Sequence, residues 1–123
     1  MTKHPLNLTV RFLLEVGAIA SMGIWGFHIS EKVPGILFAI LLPLGFALLW
    51  GIFAVKDDPS RSGKTVVSTP GAIRLLLELT LFATATWMLH DLGYSPAWWI
   101  FGSITLIHYI LSYDRVLWLL KQK

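Results

Sequence analysis

Charged residues are distributed unevenly along the chain, so that long apolar segments alternate with short polar ones. Residues 33–55 run for 23 positions and residues 92–113 for 22 positions without Asp, Glu, Lys or Arg. About 20 such residues in a helix cross the hydrocarbon core of a bilayer. Residues 6–28 and 71–91 are similarly long and apolar, but each contains an Arg–Glu pair and a histidine. The pattern predicts an all-α polytopic membrane protein with four transmembrane helices, at 6–28, 33–55, 71–91 and 96–119.

The two halves of the chain resemble each other. The segment "RFLLE", which begins at Arg11, recurs as "RLLLE" at Arg74, and "WGFHISEKVP" aligns with "WMLHDLGYSP" at nearly the same offset. A repeat of this length indicates one structural unit used twice. Pro34 and Pro96 stand where the second helix of each unit begins, a position that favours proline. We therefore predict two helical hairpins as parallel repeats, related by an axis along the membrane normal, in residues 6–55 and 71–120.

The positive charges predict an orientation, because Lys and Arg near transmembrane helices are retained on the cytoplasmic side. Lys32 is the one lysine on the face opposite the termini in this topology. Both termini and the loop at 56–70 are thus expected in the cytoplasm, with the protein in the plasma membrane. The net charge of +3 is accounted for by this anchoring and requires no nucleic acid. The residues that set the orientation are Lys3, Lys56, Arg61, Lys64, Lys121 and Lys123.

Composition agrees with the pattern and limits the chemistry. A chain of 123 residues that is 55% hydrophobic and 14% charged is too apolar for a water-soluble fold of this size, so residues 1–123 are predicted to form one membrane domain. The absence of cysteine excludes disulfides and thiolate metal sites. "SGKT" in the loop resembles the end of a P-loop, but Asp58 replaces the required earlier glycine. No catalytic or metal-ligand motif is present, so we predict no enzyme activity, metal or cofactor.

One junction resembles a known family. The segment "WGIFAVKDDPSRSGK", followed by "PGAIRLLLEL", combines an aromatic–glycine helix end, a Pro/Arg loop and Arg-Leu-x-x-Glu. This combination resembles the bacterial YrdB family, small four-helix membrane proteins grouped under a domain of unknown function. The resemblance covers nearly the whole chain. It implies a fold and a membrane location, but no established activity.

The Arg–Glu pairs are the main candidate site. Glu15 and Glu78 are expected ~13 and ~10 Å from the cytoplasmic helix ends. Charged groups at such depth cost roughly 2.5–3.5 kcal/mol at a helix centre, so they face a bundle interior or a wet cavity. Arg before Glu is the weaker order for pairing within one helix. We therefore hypothesise a crossed network, in which Arg11 pairs with Glu78 and Arg74 pairs with Glu15.

The fourth predicted helix adds a polar stripe. Thr105, His108, Ser112 and Arg115 are spaced to share one helical face. His108 is expected at the depth of the two glutamates. A histidine and carboxylates at one depth can relay protons, because such groups change protonation state when their surroundings change.

Proline and glycine predict where helices bend and approach each other. Pro43 removes a backbone hydrogen bond toward Ala39 and, with Gly45, predicts a kink in the second helix. The kink is interpreted as a hinge or as a static bend. Small residues allow close helix packing in membranes. Those expected at helix contacts are Gly17, Ala18, Gly23, Gly26, Gly45 and Gly102.

Two functions are compatible with these residues. The first is a small solute or ion carrier, in which Glu15 and Glu78 bind a cation or proton while Arg11, Arg74 and His108 assist. The second is a non-catalytic membrane scaffold or partner subunit, whose Arg/Glu network is structural. The bilayer is the expected partner in both, and a homodimer is compatible with a carrier of this size. The substrate is not determined by the sequence.

Overall fold

The computed structural model describes residues 5–29, 32–56, 65 and 67–122, without the side chains of 32 and 33. Its helices are α1 (Pro5–Ile29), α2 (Lys32–Ile52), α3 (Gly71–Asp91), α4 (Ala97–Leu111) and α5 (Tyr113–Lys121). By length and composition, α1, residues 34–52 of α2 and α3 can each cross a membrane, and α4 is a shorter apolar helix. The prediction of a helical membrane protein is confirmed at this level. Lys3, Arg61, Lys64 and Lys123 lie outside the described residues.

The fourth predicted helix is interrupted at Ser112. The sequence predicts one helix over 96–119, whereas α4 ends at Leu111 and α5 begins at Tyr113. The backbone of Ser112 departs from helical geometry, at φ −95° and ψ 28°. Its hydroxyl accepts a 2.8 Å hydrogen bond from Nδ2 of Asn7 on α1. Because that partner lies far away in sequence, the local pattern contains no sign of the break.

The second helix ends earlier than predicted. Instead of reaching residue 55, α2 ends at Ile52, and β1 (Phe53–Ala54) pairs in parallel with β2 (Val67–Ser68). The last carbonyls of a helix have no partner within it. Here Nη1 of Arg74 donates to the carbonyls of Trp50 and Phe53, at 2.7 and 2.5 Å. A side chain of α3 thus stabilises the end of α2.

Glycine determines where α1 and α2 approach most closely. A Cβ atom on Gly26 would lie 2.6 Å from the Phe38 carbonyl oxygen, and one on Gly23 would lie 3.4 Å from the Pro43 ring. Only a residue without a side chain fits against the backbone at Gly26. Gly45 was also expected at a helix contact, and this expectation is wrong, since a Cβ there would meet nothing within 4 Å. α2 is helical on both sides of Pro43.

The core is a narrow column of apolar side chains between α1, α2, α3 and α4. Phe82 lies at its centre and meets the rings of Trp50 and Tyr109 at centroid distances of 5.3 and 6.1 Å. At one end, N–H of Gly71 donates to the carbonyl of Gln122 at 3.0 Å, so α3 begins where α5 ends. α3 therefore runs antiparallel to the α4–α5 pair. The buried core residues are Leu14, Ala18, Met22, Phe46, Phe82, Ala85, Met88 and Tyr109.

Candidate functional site

Glu78 is the centre of a buried charge network. Its residue exposure is 0%, although it lies on α3 among apolar neighbours. Tyr109 donates its hydroxyl to Oε1 at 2.7 Å. Arg115 donates through both terminal nitrogens, Nη1 to Oε1 at 2.8 Å and Nη2 to Oε2 at 2.7 Å. Such a two-pronged arginine contact is the strongest geometry available to a carboxylate.

Arg74 joins Glu78 to the end of α2. Its Nε donates to Oε2 of Glu78 at 2.7 Å, within one turn of α3. Its Nη1 donates to the two α2-end carbonyls, and its guanidinium lies 4.5 Å from the ring centroid of Trp50. The side chain thus makes ionic, hydrogen-bond and cation–π contacts at once. One arginine joins three chain segments.

Arg11 adds α1 to the network. Its Nη2 lies 3.2 Å from Oε2 of Glu78, and its guanidinium lies 5.0 Å from the centroid of Trp50. Its Nε is 3.6 Å from Oε1 of Glu15, whose side chain is 23% exposed. Glu15 is therefore peripheral, while Glu78 is central.

The hypothesis of a crossed network is correct for one pair and wrong for the other. Arg11 meets Glu78 across the helices as hypothesised. Arg74 does not pair with Glu15 among the described contacts, because its own glutamate and the carbonyls at the end of α2 occupy its donors. The third cation on Glu78 is Arg115, which comes from the polar stripe. The arginines of both repeated Arg–Glu pairs thus contact the same carboxylate, that of Glu78.

A second polar chain lies beside the network, between α1 and α4. Asn7 donates through Nδ2 to Ser112, and its Oδ1 lies 3.1 Å from Nδ1 of His108. His108, Ser112 and Asn7 are all buried. Sequence analysis identified His108 and Ser112 but missed Asn7, although Asn7 precedes Arg11 by one helical turn on the same face. It also missed Tyr109 and the contacts of Trp50 with the two arginines.

The opposite ends of α1 and α3 are joined by aromatic contacts. Nε1 of Trp25 donates to Asp91 at 2.8 Å, and the rings of Trp25 and Trp87 lie 5.7 Å apart. His28 contacts a carbonyl of its own helix, and His90 packs edge-on against Trp98 at 5.0 Å. Within the described part of the chain, no group of three His, Cys, Asp or Glu side chains is placed to hold a metal ion.

The contacts of Glu78 resemble a structural connection between helices more than an ion-binding site. Glu78 accepts four hydrogen bonds and a further ion pair from donors on α1, α3, α4 and α5. A buried charge is tolerated when its partners satisfy it, and losing one partner typically costs about 3–5 kcal/mol. Exchange of a bound cation at Glu78 would require several of these contacts to break together.

Comparison with known proteins places the chain in a family of unknown function. The family described as "Protein of unknown function (DUF2568)" matches residues 9–106. The chain belongs to this family. It is 37% identical over 119 residues to "Uncharacterized protein YrdB" of Bacillus subtilis (strain 168), which covers 97% of both chains. The resemblance to the YrdB family is thereby confirmed. No solved structure matches the chain.

The family match includes most of the network. Arg11, Arg74 and Glu78 lie inside the matched range of the DUF2568 family. His108, Ser112 and Arg115 lie beyond it, at the carboxyl-terminal end. The relative from B. subtilis aligns over nearly the whole chain.

Proposed function

We propose that this DUF2568 protein is a non-catalytic membrane scaffold or partner subunit, whose Arg/Glu network holds the helix bundle together. The observation that carries this proposal is the complete burial of Glu78 beneath three arginines and a tyrosine. A carboxylate that loads and releases an ion needs access to water and a free coordination position. Glu78 lacks both within the described residues. Its contacts instead join four helices.

The proposal includes four membrane crossings arranged as two repeated hairpins. α4 has 15 residues and would span only ~22 Å by itself, so α4 and α5 together form the fourth crossing. Support comes from the contact between Gly71 and the end of α5. The repeat is supported at two places, where residues that align between the two halves lie close together. Trp25 meets Trp87 at one end, and Arg11 and Arg74 flank Trp50 at the other.

A small carrier is the second candidate, and the surroundings of Glu15 favour it. The side chain of Glu15 is 23% exposed, and its contact with Arg11 is loose at 3.6 Å. A solute-binding carboxylate in this bundle would therefore be Glu15 rather than Glu78. Substituting Glu15 and Glu78 separately offers a direct test, since the two glutamates occupy equivalent places in the repeat.

The two functions predict opposite effects for Glu78→Gln and Glu15→Gln. If the network is structural, Glu78→Gln lowers the free energy of unfolding by roughly 3–5 kcal/mol, because the arginines lose their charged partner. Glu15→Gln should change it by less than about 1 kcal/mol, the range of a single ordinary hydrogen bond, since the contact of Glu15 with Arg11 is loose at 3.6 Å. The measurement is reversible unfolding in lipid bilayers or mild detergent, with Asp91→Asn as a control that keeps an acceptor for Trp25.

The carrier function requires a different result. Glu15→Gln would then abolish pH-dependent solute or proton flux in proteoliposomes while leaving the unfolding free energy unchanged. A stable Glu78→Gln protein with full folded yield would contradict the structural proposal.

A further inference from the structure

Two hydroxyl groups on the outer surface of the bundle have no hydrogen bond in the described part of the chain. They belong to Thr80 on α3 and Ser103 on α4, and both residues are exposed. An unpaired polar group is unfavourable in hydrocarbon, which indicates that something other than lipid chains covers these two residues. The other serine and threonine hydroxyls of α1, α3 and α4 each donate to the carbonyl four residues earlier, and they belong to Thr9, Ser21, Thr84, Thr86 and Thr105.

Both unpaired hydroxyls border the groove between α3 and α4. This groove is almost entirely apolar and encloses about 520 Å³. Thr80 follows Leu79 of its α3 side, and Ser103 follows Gly102 of its α4 side. Ala83 and Gly102 are small, so the groove admits the side chains of another helix.

An exposed row of residues runs along α4 beside this groove and continues into α5. Its members are spaced 4, 3, 4, 3 and 4 positions apart, the spacing of the contact seam between two paired helices. The helical path bridges Ser112, whose N–H donates to the His108 carbonyl at 2.9 Å and whose carbonyl accepts from Val116 at 3.1 Å. This α4 row consists of Trp99, Ser103, Leu106, Ile110, Tyr113 and Leu117, all of them exposed.

We propose that a second copy of this chain docks here, with the α4 row of each copy lying in the α3–α4 groove of the other. Two copies inserted the same way round are related by a two-fold axis along the membrane normal, so one face must carry both the projecting row and the groove that receives it. The α4 row and the adjacent groove meet this requirement. The contact lies on the outer side of α4, so it does not depend on the function proposed for Glu78.

The unpaired hydroxyls favour a protein over a lipid chain as the occupant. A residue near a two-fold axis faces its own copy, and a serine hydroxyl both donates and accepts, so two Ser103 side chains satisfy each other. An acyl chain would fill the groove and leave Ser103 unpaired. Thr80 distinguishes this groove from the one of about 440 Å³ between α1 and α4. The hydroxyl in the lining of that second groove, on Ser21, already donates to the Gly17 carbonyl at 2.7 Å.

Single cysteines test which side of α4 meets the second copy, since the chain contains none. Leu106→Cys and Ile110→Cys lie on the α4 row, whereas Ile104→Cys and Leu111→Cys lie at similar depths on its other side. All four positions are exposed, so the variants are expected to fold. A disulfide requires Cβ atoms about 4 Å apart. On oxidation in dilute phosphatidylcholine vesicles, we therefore expect the two row positions to form linked dimers about tenfold faster than the two controls.

Two outcomes of this experiment would overturn the proposal. Equal rates on both sides of α4 would indicate random collision. Faster linkage at the control positions would place the contact at the α1–α4 groove instead.

Filling the groove provides a second test, which uses energy transfer between labelled full-length copies in vesicles. Ala83→Phe occupies the groove and should raise the dissociation constant of the dimer about tenfold. Ala20→Phe is the matched control, because Ala20 is exposed on α1 and aligns with Ala83 in the repeat. It should change the constant by less than about twofold. Undiminished association of Ala83→Phe, or an original protein that stays monomeric, would mean that lipid fills the groove and would contradict the proposal.

Ser103→Ala tests the hydroxyl contact in the same assay. The dissociation constant should rise about threefold, the typical contribution of a hydrogen bond between membrane helices. Thr9→Ala is the control, since its hydroxyl donates to the Pro5 carbonyl of its own helix at 2.8 Å. An effect of Ser103→Ala no larger than that of Thr9→Ala would show that Ser103 does not meet a second copy.

Discussion

At the scale of single residues, a side chain's place in the network depends on the geometry of its donors. Arg74 uses Nε for Glu78 and Nη1 for two carbonyls, while its planar face covers Trp50. Lysine cannot reproduce this arrangement, because its ammonium is a compact charge without a planar fork. Arg11 has the same charge and a comparable contact with Trp50, but one of its nitrogens has no partner among the described residues. The two arginines align in the repeat but thus differ in their hydrogen-bond partners.

Arg74→Lys should destabilise the protein although it preserves the charge. We expect the free energy of unfolding to fall by roughly 1–2 kcal/mol, the range measured for hydrogen bonds between membrane helices. Unfolding in detergent micelles would measure this change. Lys56→Arg, at an exposed position after β1, is the control and should have no effect. An unchanged stability of Arg74→Lys would mean that the carbonyl contacts contribute nothing.

At the scale of helices and strands, the interruptions coincide with hydrogen bonds from side chains of other elements. α2 gives way to β1 where Arg74 reaches the carbonyls, and α4 gives way to α5 where Asn7 reaches Ser112. The close contact of α1 with α2 depends instead on a missing side chain, at Gly26. Hydrophobic length predicted the helices well, but not these ends, where the contacts come from residues distant in sequence.

The glycines of α1 and α2 give a matched pair of substitutions. Gly26→Ala places a methyl group against the Phe38 carbonyl and should destabilise the protein by about 1–3 kcal/mol, as overpacked contacts do. Gly45→Ala meets no atom within 4 Å and should be neutral or stabilise its helix by up to about 1 kcal/mol. Thermal unfolding of both variants in the same bilayer provides the measurement. A Gly45→Ala variant as unstable as Gly26→Ala would contradict this explanation.

At the scale of the whole molecule, charge and apolarity are segregated. Large apolar side chains are exposed along the outer faces of the helices, including Leu41 and Leu76. In water this surface would be unfavourable, whereas in a bilayer lipid covers it. The charged groups of the candidate site are concentrated inside, at the end of the bundle where α3 begins and α5 ends. The molecule is therefore polar at its centre and apolar at its perimeter at that level.

The proposed topology can be tested with single cysteines, since the chain contains none. We expect Tyr94→Cys, between α3 and α4, to react with a membrane-impermeant thiol reagent added to intact cells. Lys56→Cys and Lys121→Cys should react only after the membrane is permeabilised, because positive residues mark the cytoplasmic side. Labelling of Lys56→Cys from outside, with Tyr94→Cys protected, would reverse the proposed orientation.

The sequence by itself determined the class of protein and most helix positions, because the match between apolar length and bilayer thickness is a local property. It also identified Arg11, Arg74, Glu78, His108 and Arg115 as candidates, since ionisable residues are conspicuous in apolar segments. Only the tertiary structure decided which of these pair. Arg115 reaches Glu78 across 37 positions and Asn7 reaches Ser112 across 105, and no local pattern specifies such distances. Three cations meet at one carboxylate because helix packing, not spacing along the chain, sets the distances between charges.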